Sequence, residues 1–158
     1  MIQVFRTLVS LLLAGSWAVL AGCQSGTAPD QQADPVASLA SQVNAYRSSI
    51  GCPRLRWHPQ LAQVAGGHSE DMVRRGFFAH INPDGESPFE RMTRAGIRWR
   101  GPAAENLALS KSDALGVLRL WLDSEGHRAS LDDCRYGFHA IGVSEGRWTH
   151  LFFGELDG

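Results

Sequence analysis

Several absences narrow the chemistry before any element is assigned. The 158-residue chain contains no HExxH run and no glycine-rich phosphate loop. Those gaps exclude the zincin helix and the P-loop. Cysteine is scarce, at three residues, and none sits in a CxxC, which removes the common zinc and thiol-redox motifs. Charge of one sign is not in excess either, since 15 Lys+Arg face 16 Asp+Glu. A near-neutral chain has no electrostatic footprint for nucleic acid. What remains to carry chemistry is a set of six histidines and a few isolated acids.

The first 22 residues read as an export leader rather than as part of the fold. Arg6 supplies the positive end, LVSLLLAGSWAVL is an apolar stretch too short to span a bilayer, and LAGC closes the segment at residues 20–23. LAGC resembles a bacterial lipobox, in which the cysteine is lipidated and becomes the first mature residue. On that reading Cys23 anchors the protein to the membrane, each buried CH₂ of its acyl chains adding roughly 0.8 kcal/mol. The alternative is an ordinary leader in which Cys23 is incidental. Residues 23–34 then form a polar tether without periodicity, and residues 35–158 form one domain large enough for a core. Glutamine at position 24 points to the outer membrane, facing the periplasm, if the source is Gram-negative. With Cys23 lipidated, Cys52 and Cys134 are an even pair in an exported chain, which favours a disulfide over two buried free thiols.

Periodicity and caps then lay out the domain. Asp34-Pro35 opens a helix, Gly51-Cys52-Pro53 stops it, and Pro59 opens a second one that Gly76 ends. Phe77 and Phe78 are expected to anchor the end of that second helix in the core. Pro83-Asp84-Gly85 turns the chain, and Ser87-Pro88-Phe89-Glu90 is a capping box for a short helix reaching about Ala95-Gly96. Residues 103–109 read as a strand, and Ser112-Asp113 begins a helix expected to end at Gly126. HAIGVS and WTHLFFGE, joined by Glu145-Gly146, read as a hairpin. Helices first and a hairpin last, without βαβ alternation, argue for an α+β fold with an antiparallel sheet.

Three histidines stand out. His68 lies on the apolar stripe of the second helix, as a core histidine satisfied by one carbonyl or as part of a site. His80 follows two phenylalanines and precedes a turn. His127, in WLDSEGHRAS, is either a C-capping residue or a site residue. Glu105 is the one charge in the apolar run AAENLAL, and an inward carboxylate there costs several kcal/mol unless a cation or histidine answers it. His58 is expected to cap the second helix, while His139 and His150 could face either side of the hairpin.

FFAH with PDG and SPFERM, then ENLA, WLDSEGHR, IGV and a WT-containing last strand together resemble the CAP superfamily. These are the cysteine-rich secretory, antigen 5 and pathogenesis-related 1 proteins, whose domain is also called SCP, and the match is to the bacterial single-domain branch. It runs from about Leu39 to Gly154. The resemblance implies a three-layer α-β-α sandwich with a central antiparallel sheet and a cleft that, in animal and plant members, holds two histidines and two glutamates. Carried over, the first histidine is His80 and the first glutamate is Glu105. The second glutamate belongs to WxxE, where this chain has Trp121 and Ser124. The second histidine belongs to GHYTQ, where this chain has GRWTHL. Half of the tetrad is missing at its expected positions, and His127, one helical turn after Ser124, is the substitute.

The candidate cleft is therefore His80, Glu105, His127, His68 and Ser124. The leading reading is a cell-envelope binding module without chemistry, taking an unknown lipid, small-molecule or protein ligand and requiring no cofactor. One alternative is a metal-assisted hydrolase, with zinc or another divalent ion on His80 and His127 and Glu105 as general base. Another is a structural envelope protein whose histidine cluster stabilises the junction of sheet and helix.

Overall fold

A computed structural model describes residues 34–156. The expected leader, the lipidation site Cys23 and the tether up to residue 33 lie outside the described residues. The elements are α1 (Pro35–Ser49), β1 (Arg56–Trp57), α2 (Pro59–Arg75), α3 (Pro88–Arg94), β2 (Trp99–Leu109), α4 (Ala114–Leu122), α5 (Glu125–Asp132), β3 (Phe138–Ser144) and β4 (Arg147–Leu156). Among them, no helix is long and apolar enough to cross a membrane.

Local chemistry sets most boundaries. The Asp34 side chain accepts from the Val36 amide at the start of α1, and His58 accepts from Leu61 at the start of α2. Gly76, at φ 71°, ends α2 in the left-handed region, where a side chain would be strained. Ser87 and Glu90 cap α3 reciprocally. Glu145 and Gly146 both take positive φ in the β3–β4 turn, the geometry that matches the twist of a tight hairpin.

The sheet runs β1-β3-β4-β2, with β2 at an edge. It is antiparallel except for β1, a two-residue strand that pairs parallel to β3 and that periodicity did not predict. Successive residues of β4 serve opposite layers. Leu151 and Phe153 pack with Leu61 and Ala65 of α2 and Met92 of α3. Trp148 and Phe152 pack with Leu39, Val117 and Trp121 of α1 and α4. This alternation produces the α-β-α sandwich. On the α2 side Gly142 is obligatory, because a Cβ there would sit 2.5 Å from the Ala65 carbonyl carbon.

Three differences from the expected elements have physical causes. The helix expected to stop at Gly126 breaks earlier, between Asp123 and Ser124, and restarts as α5 with Ser124 extended at φ −103° as its N-cap. His127 is therefore in the first turn of a helix, not beyond the end of one. Phe77 rests on the His68 ring at 5.7 Å, but Phe78 points outward at 45 % exposure, because past Gly76 the chain no longer presents one face to the core. Strand β2 starts at Trp99 rather than at 103, with an irregularity in its pairing between Arg100 and Ala103.

Cys52 and Cys134 are bridged, with Cα atoms 4.9 Å apart. Beside the bridge lies Arg47, fully buried, donating to the carbonyls of Pro53, Leu131, Asp133 and Tyr136. The pair closes a loop with a sequence separation of 82, so losing it releases about 4–5 kcal/mol of unfolded-state entropy. Denaturant titration of Cys52→Ser with Cys134→Ser is expected to show a loss of that order, and an unchanged midpoint would contradict it.

His139 and His150 both face the α1–α4 layer, with Nδ1 of the first 3.1 Å from Nε2 of the second. Burial, then Arg47, pushes His139 down to about 4. Burial, His139 and Arg47 push His150 well below its ordinary 6.5. Unfolded histidines take up protons near 6.5 that these folded ones refuse. Stability is therefore complete above that pH and falls as pH drops toward 4, by up to about 1.4 kcal/mol per pH unit for each ring. Urea midpoints measured at pH 7, 6 and 5 are expected to decline steadily, and a flat profile would show that the rings charge without cost.

Candidate functional site

Strand β2 is the spine of the site. Glu105 pairs with Leu151 in the ladder and so shares the α2-facing side of the sheet, whereas Asn106 pairs with His150 and faces the α4–α5 layer. The Glu105 side chain is 2 % exposed and makes two charge-assisted contacts. Oε1 accepts from Nδ1 of His80 at 2.8 Å, and Oε2 accepts from Nη2 of Arg91 at 2.7 Å. Arg91, itself 5 % exposed at its side chain, also donates through Nη1 to the His80 carbonyl at 2.8 Å and the Glu86 carbonyl at 3.0 Å. One guanidinium thus answers the buried carboxylate and pins the loop that carries His80.

The loop is built locally as well. Asn82 Oδ1 accepts from the amides of Asp84 and Glu86, folding the 82–86 turn, and Gly85 takes φ 84°. With the backbone held on both sides, the His80 ring is fixed although it is 51 % exposed. A carboxylate oxygen can only accept, so Nδ1 carries the proton and, in the neutral ring, Nε2 presents a bare lone pair to solvent.

The other expected residues are placed unequally. His127 lies near enough that His80, after burial, holds its imidazole below the ordinary value. Asn106 donates to the His127 carbonyl at 2.9 Å, fastening α5 to the reverse side of the same strand. His68 is 2 % exposed and donates through Nε2 to the Ala79 carbonyl at 3.0 Å. Burial first, then Arg91, lowers its pKa, against an opposing pull from Glu105. Ser124 caps α5 in position only, its side chain making no capping bond. Trp121, of the same sequence motif, is core: its indole donates to the Leu107 carbonyl at 3.0 Å.

Arg91 was absent from the sequence reading, where SPFERM served as a helix start. The signal was available. An inward Glu105 demands a cation, and Arg91 sits one turn into a helix whose start is fixed by a capping box.

Two imidazoles and a carboxylate are ligand types that zinc uses, but the arrangement does not fit such an ion. Both oxygens of Glu105 are committed, one of them to a guanidinium. Among the described residues, no three His, Cys, Asp or Glu side chains are placed to hold a metal. Glu105 is also closed off from solvent, so it orients His80 and does not act as a general base.

Comparison with known proteins gives a consistent picture. A sequence model of the cysteine-rich secretory protein family, CAP, matches residues 40–152. An uncharacterized membrane protein of Bacillus subtilis (strain 168), YlbC, is 33 % identical over 110 residues, which cover 70 % of this chain and 32 % of YlbC. YkwD, an uncharacterized protein of the same organism, is 31 % identical over 115 residues, covering 72 % of this chain and 44 % of YkwD. The chain therefore spans less than half the length of these relatives. A solved extracellular protein with an SCP domain from Bacillus anthracis str. Ames superposes with a TM-score of 0.73 at 32 % identity, covering 77 % of this chain and 40 % of that one. An outer surface protein of Borrelia burgdorferi shares the fold, with a TM-score of 0.66 at 18 % identity, covering 75 % of this chain and 91 % of that one.

The buried pair is directly testable. Arg91→Leu strands the Glu105 charge and is expected to cost about 3–5 kcal/mol in denaturant unfolding, while Arg91→Leu with Glu105→Leu costs less than the two single changes summed. Strict additivity would mean that the two side chains do not hold each other.

Proposed function

The chain belongs to the cysteine-rich secretory protein family (CAP), and from that premise we propose that it is an exported binding module whose contact point is His80 beside His127. One observation carries this reading: a half-exposed imidazole is held in a single orientation by a carboxylate and a guanidinium that are almost wholly buried. Fixing a contact group in advance removes ordering cost from the binding step. Nothing else in the fold accounts for spending a buried ion pair on an exposed ring. The extracellular and surface proteins of similar fold support an exported location. The leader and LAGC sequence support lipid attachment through Cys23, with the outer membrane as destination in a Gram-negative source.

A hydrolytic reading has one favourable feature, the Glu105–His80 contact, which would let Nε2 act as a general base toward water. Against it, the hydrogen bond recorded for the His80 ring goes to a carboxylate, not to a hydroxyl or thiol nucleophile. A purely structural role leaves the exposure of His80 unexplained.

These readings separate in one comparison. The full chain, its His80→Ala variant and its His127→Ala variant are immobilised and exposed to detergent-solubilised envelope from the source cells. The expected result is an envelope component retained by the wild type and lost from both variants, with no turnover in ester, peptide or glycoside assays. Turnover that disappears in His80→Ala would replace binding by hydrolysis, and identical retention by all three proteins would remove His80 from the contact.

Attachment has its own check. Mass spectrometry of the mature protein should find an acylated N-terminal Cys23, and Cys23→Ala should move the protein out of the membrane fraction. An unmodified Cys23 would leave export without an anchor.

A further inference from the structure

The helices on the two sides of the sheet differ sharply in exposed charge. On the α2–α3 side, Glu70, Arg74, Arg75, Glu90 and Arg94 are all exposed. On the opposite side, α1 and α4 hold one charged residue each. That of α1, Arg47, is fully buried and spent on backbone carbonyls. That of α4, Arg119, is exposed. The nearby acids Asp34, Asp113 and Asp123 stand at the caps of these helices rather than within them.

Helix α4, ALGVLRLWL, is apolar at every position except Arg119. Ala114, Val117, Leu118 and Trp121 are buried, yet Leu115 and Leu120 are 42 % and 48 % exposed. A helix without a polar face is normally covered on every side. Single exposed leucines are ordinary, but these two flank the one exposed charge of α1 and α4 together. The tether enters at the same place. Asp34 caps α1, and Pro35 lines one cleft with Leu109, Lys111 and Ser112, of the segment that leads into α4. Leu109 is 59 % exposed and Lys111 is exposed beside it. From Pro35 the chain runs back through residues 23–34 to Cys23, a length that reaches at most about 40 Å.

What covers such a face must take up leucines and answer an arginine. A phospholipid surface does both, admitting Leu115 and Leu120 to the acyl boundary while Arg119 and Lys111 reach headgroup phosphates on flexible stems. A second copy related by two-fold symmetry would instead set Arg119 against the same patch, where neither helix carries an acid to meet it. We propose, on the lipid attachment described above, that the α4 face beside the start of α1 docks on the bilayer in which Cys23 is anchored. A weak contact is enough, because tethering raises the effective concentration of lipid at the face. Docking also sets the direction of the candidate site. Glu105 faces α2, on the far side of the sheet from α4, so the His80 that it orients is turned to the envelope space and not to its own membrane.

The test places the ¹⁵N-labelled, acylated mature chain in nanodiscs of phosphatidylethanolamine and phosphatidylglycerol that carry a spin-labelled lipid. The expected result is paramagnetic broadening concentrated at the amides of Leu115, Arg119, Leu120 and residues 109–112, sparing Arg74, Arg75 and Arg94. Leu115→Asp with Leu120→Asp is expected to lower the ratio of docked to free domain by more than about tenfold, with the chain still held in the disc through Cys23. Gln63→Asp, exposed on α2, is the matching charge control and is expected to change nothing. Broadening spread evenly over both sides of the sheet, centred on α2 and α3, or unchanged in the double variant would overturn the proposal. So would α4 shifts that follow protein concentration rather than lipid, which would assign the face to a second copy. If Cys23 proves unmodified, the anchor fails by itself, and vesicles of the same lipids added in excess to the unmodified chain read the face directly. Broadening at α4 then supports docking, and its absence overturns it.

Discussion

Glu105 carries a carboxylate on the inner side of an edge strand, and the surroundings of the site are arranged to keep it charged at low cost. Arg91 meets Oε2, His80 meets Oε1, and the two remaining bonds of the Arg91 Nη1 group reach the carbonyls of His80 and Glu86. An ion pair so thoroughly buried is weak evidence for stability, since an apolar replacement of equal shape can do as well. Its specific product here is orientation. The same guanidinium that neutralises the acid fixes the backbone at His80, so the exposed ring inherits its direction from two buried groups.

The edge position of β2 explains how residues from both outer layers meet at one place. Alternation sends Glu105 toward α2 and Asn106 toward α5. One residue orients His80 and the next takes hold of the His127 carbonyl. In a central strand, neighbouring strands would separate these two attachments. At an edge, a loop preceding α3 and the first turn of α5 approach the same stretch of backbone from opposite sides. The break between α4 and α5 matters for the same reason: a continuous helix would not place His127 in a first turn beside β2.

Much of this was legible in the sequence, in proportion to how local its causes are. The caps at Asp34, His58 and Ser87, the turn at Glu145-Gly146 and the alternation of WTHLFFGE each depend on a few neighbouring residues, and those elements appear where expected. Glu105 was legible as an inward acid that needs a cation or histidine, and the family resemblance named His80 beside it. What escaped detection has long-range causes. Arg47 looks like any helical arginine until the segment 131–136, more than eighty residues later, folds its carbonyls around it. Strand β1 is two residues long and exists only because β3 runs beside it. Gly126 read as a helix stop because glycine commonly ends helices, whereas the actual break was set by Asp123 and Ser124.

Arg91 also gives the site a property that neither His80 nor Glu105 has alone. Its Nη atoms serve both the His80 loop and Glu105, while its Nε is buried without a hydrogen-bond partner within the protein. A guanidinium is planar and rigid, so its nitrogens cannot be repositioned one at a time. Whatever rotates that plane must loosen Glu105 and, through it, His80. The direction of the exposed His80 imidazole rests on that one rigid group.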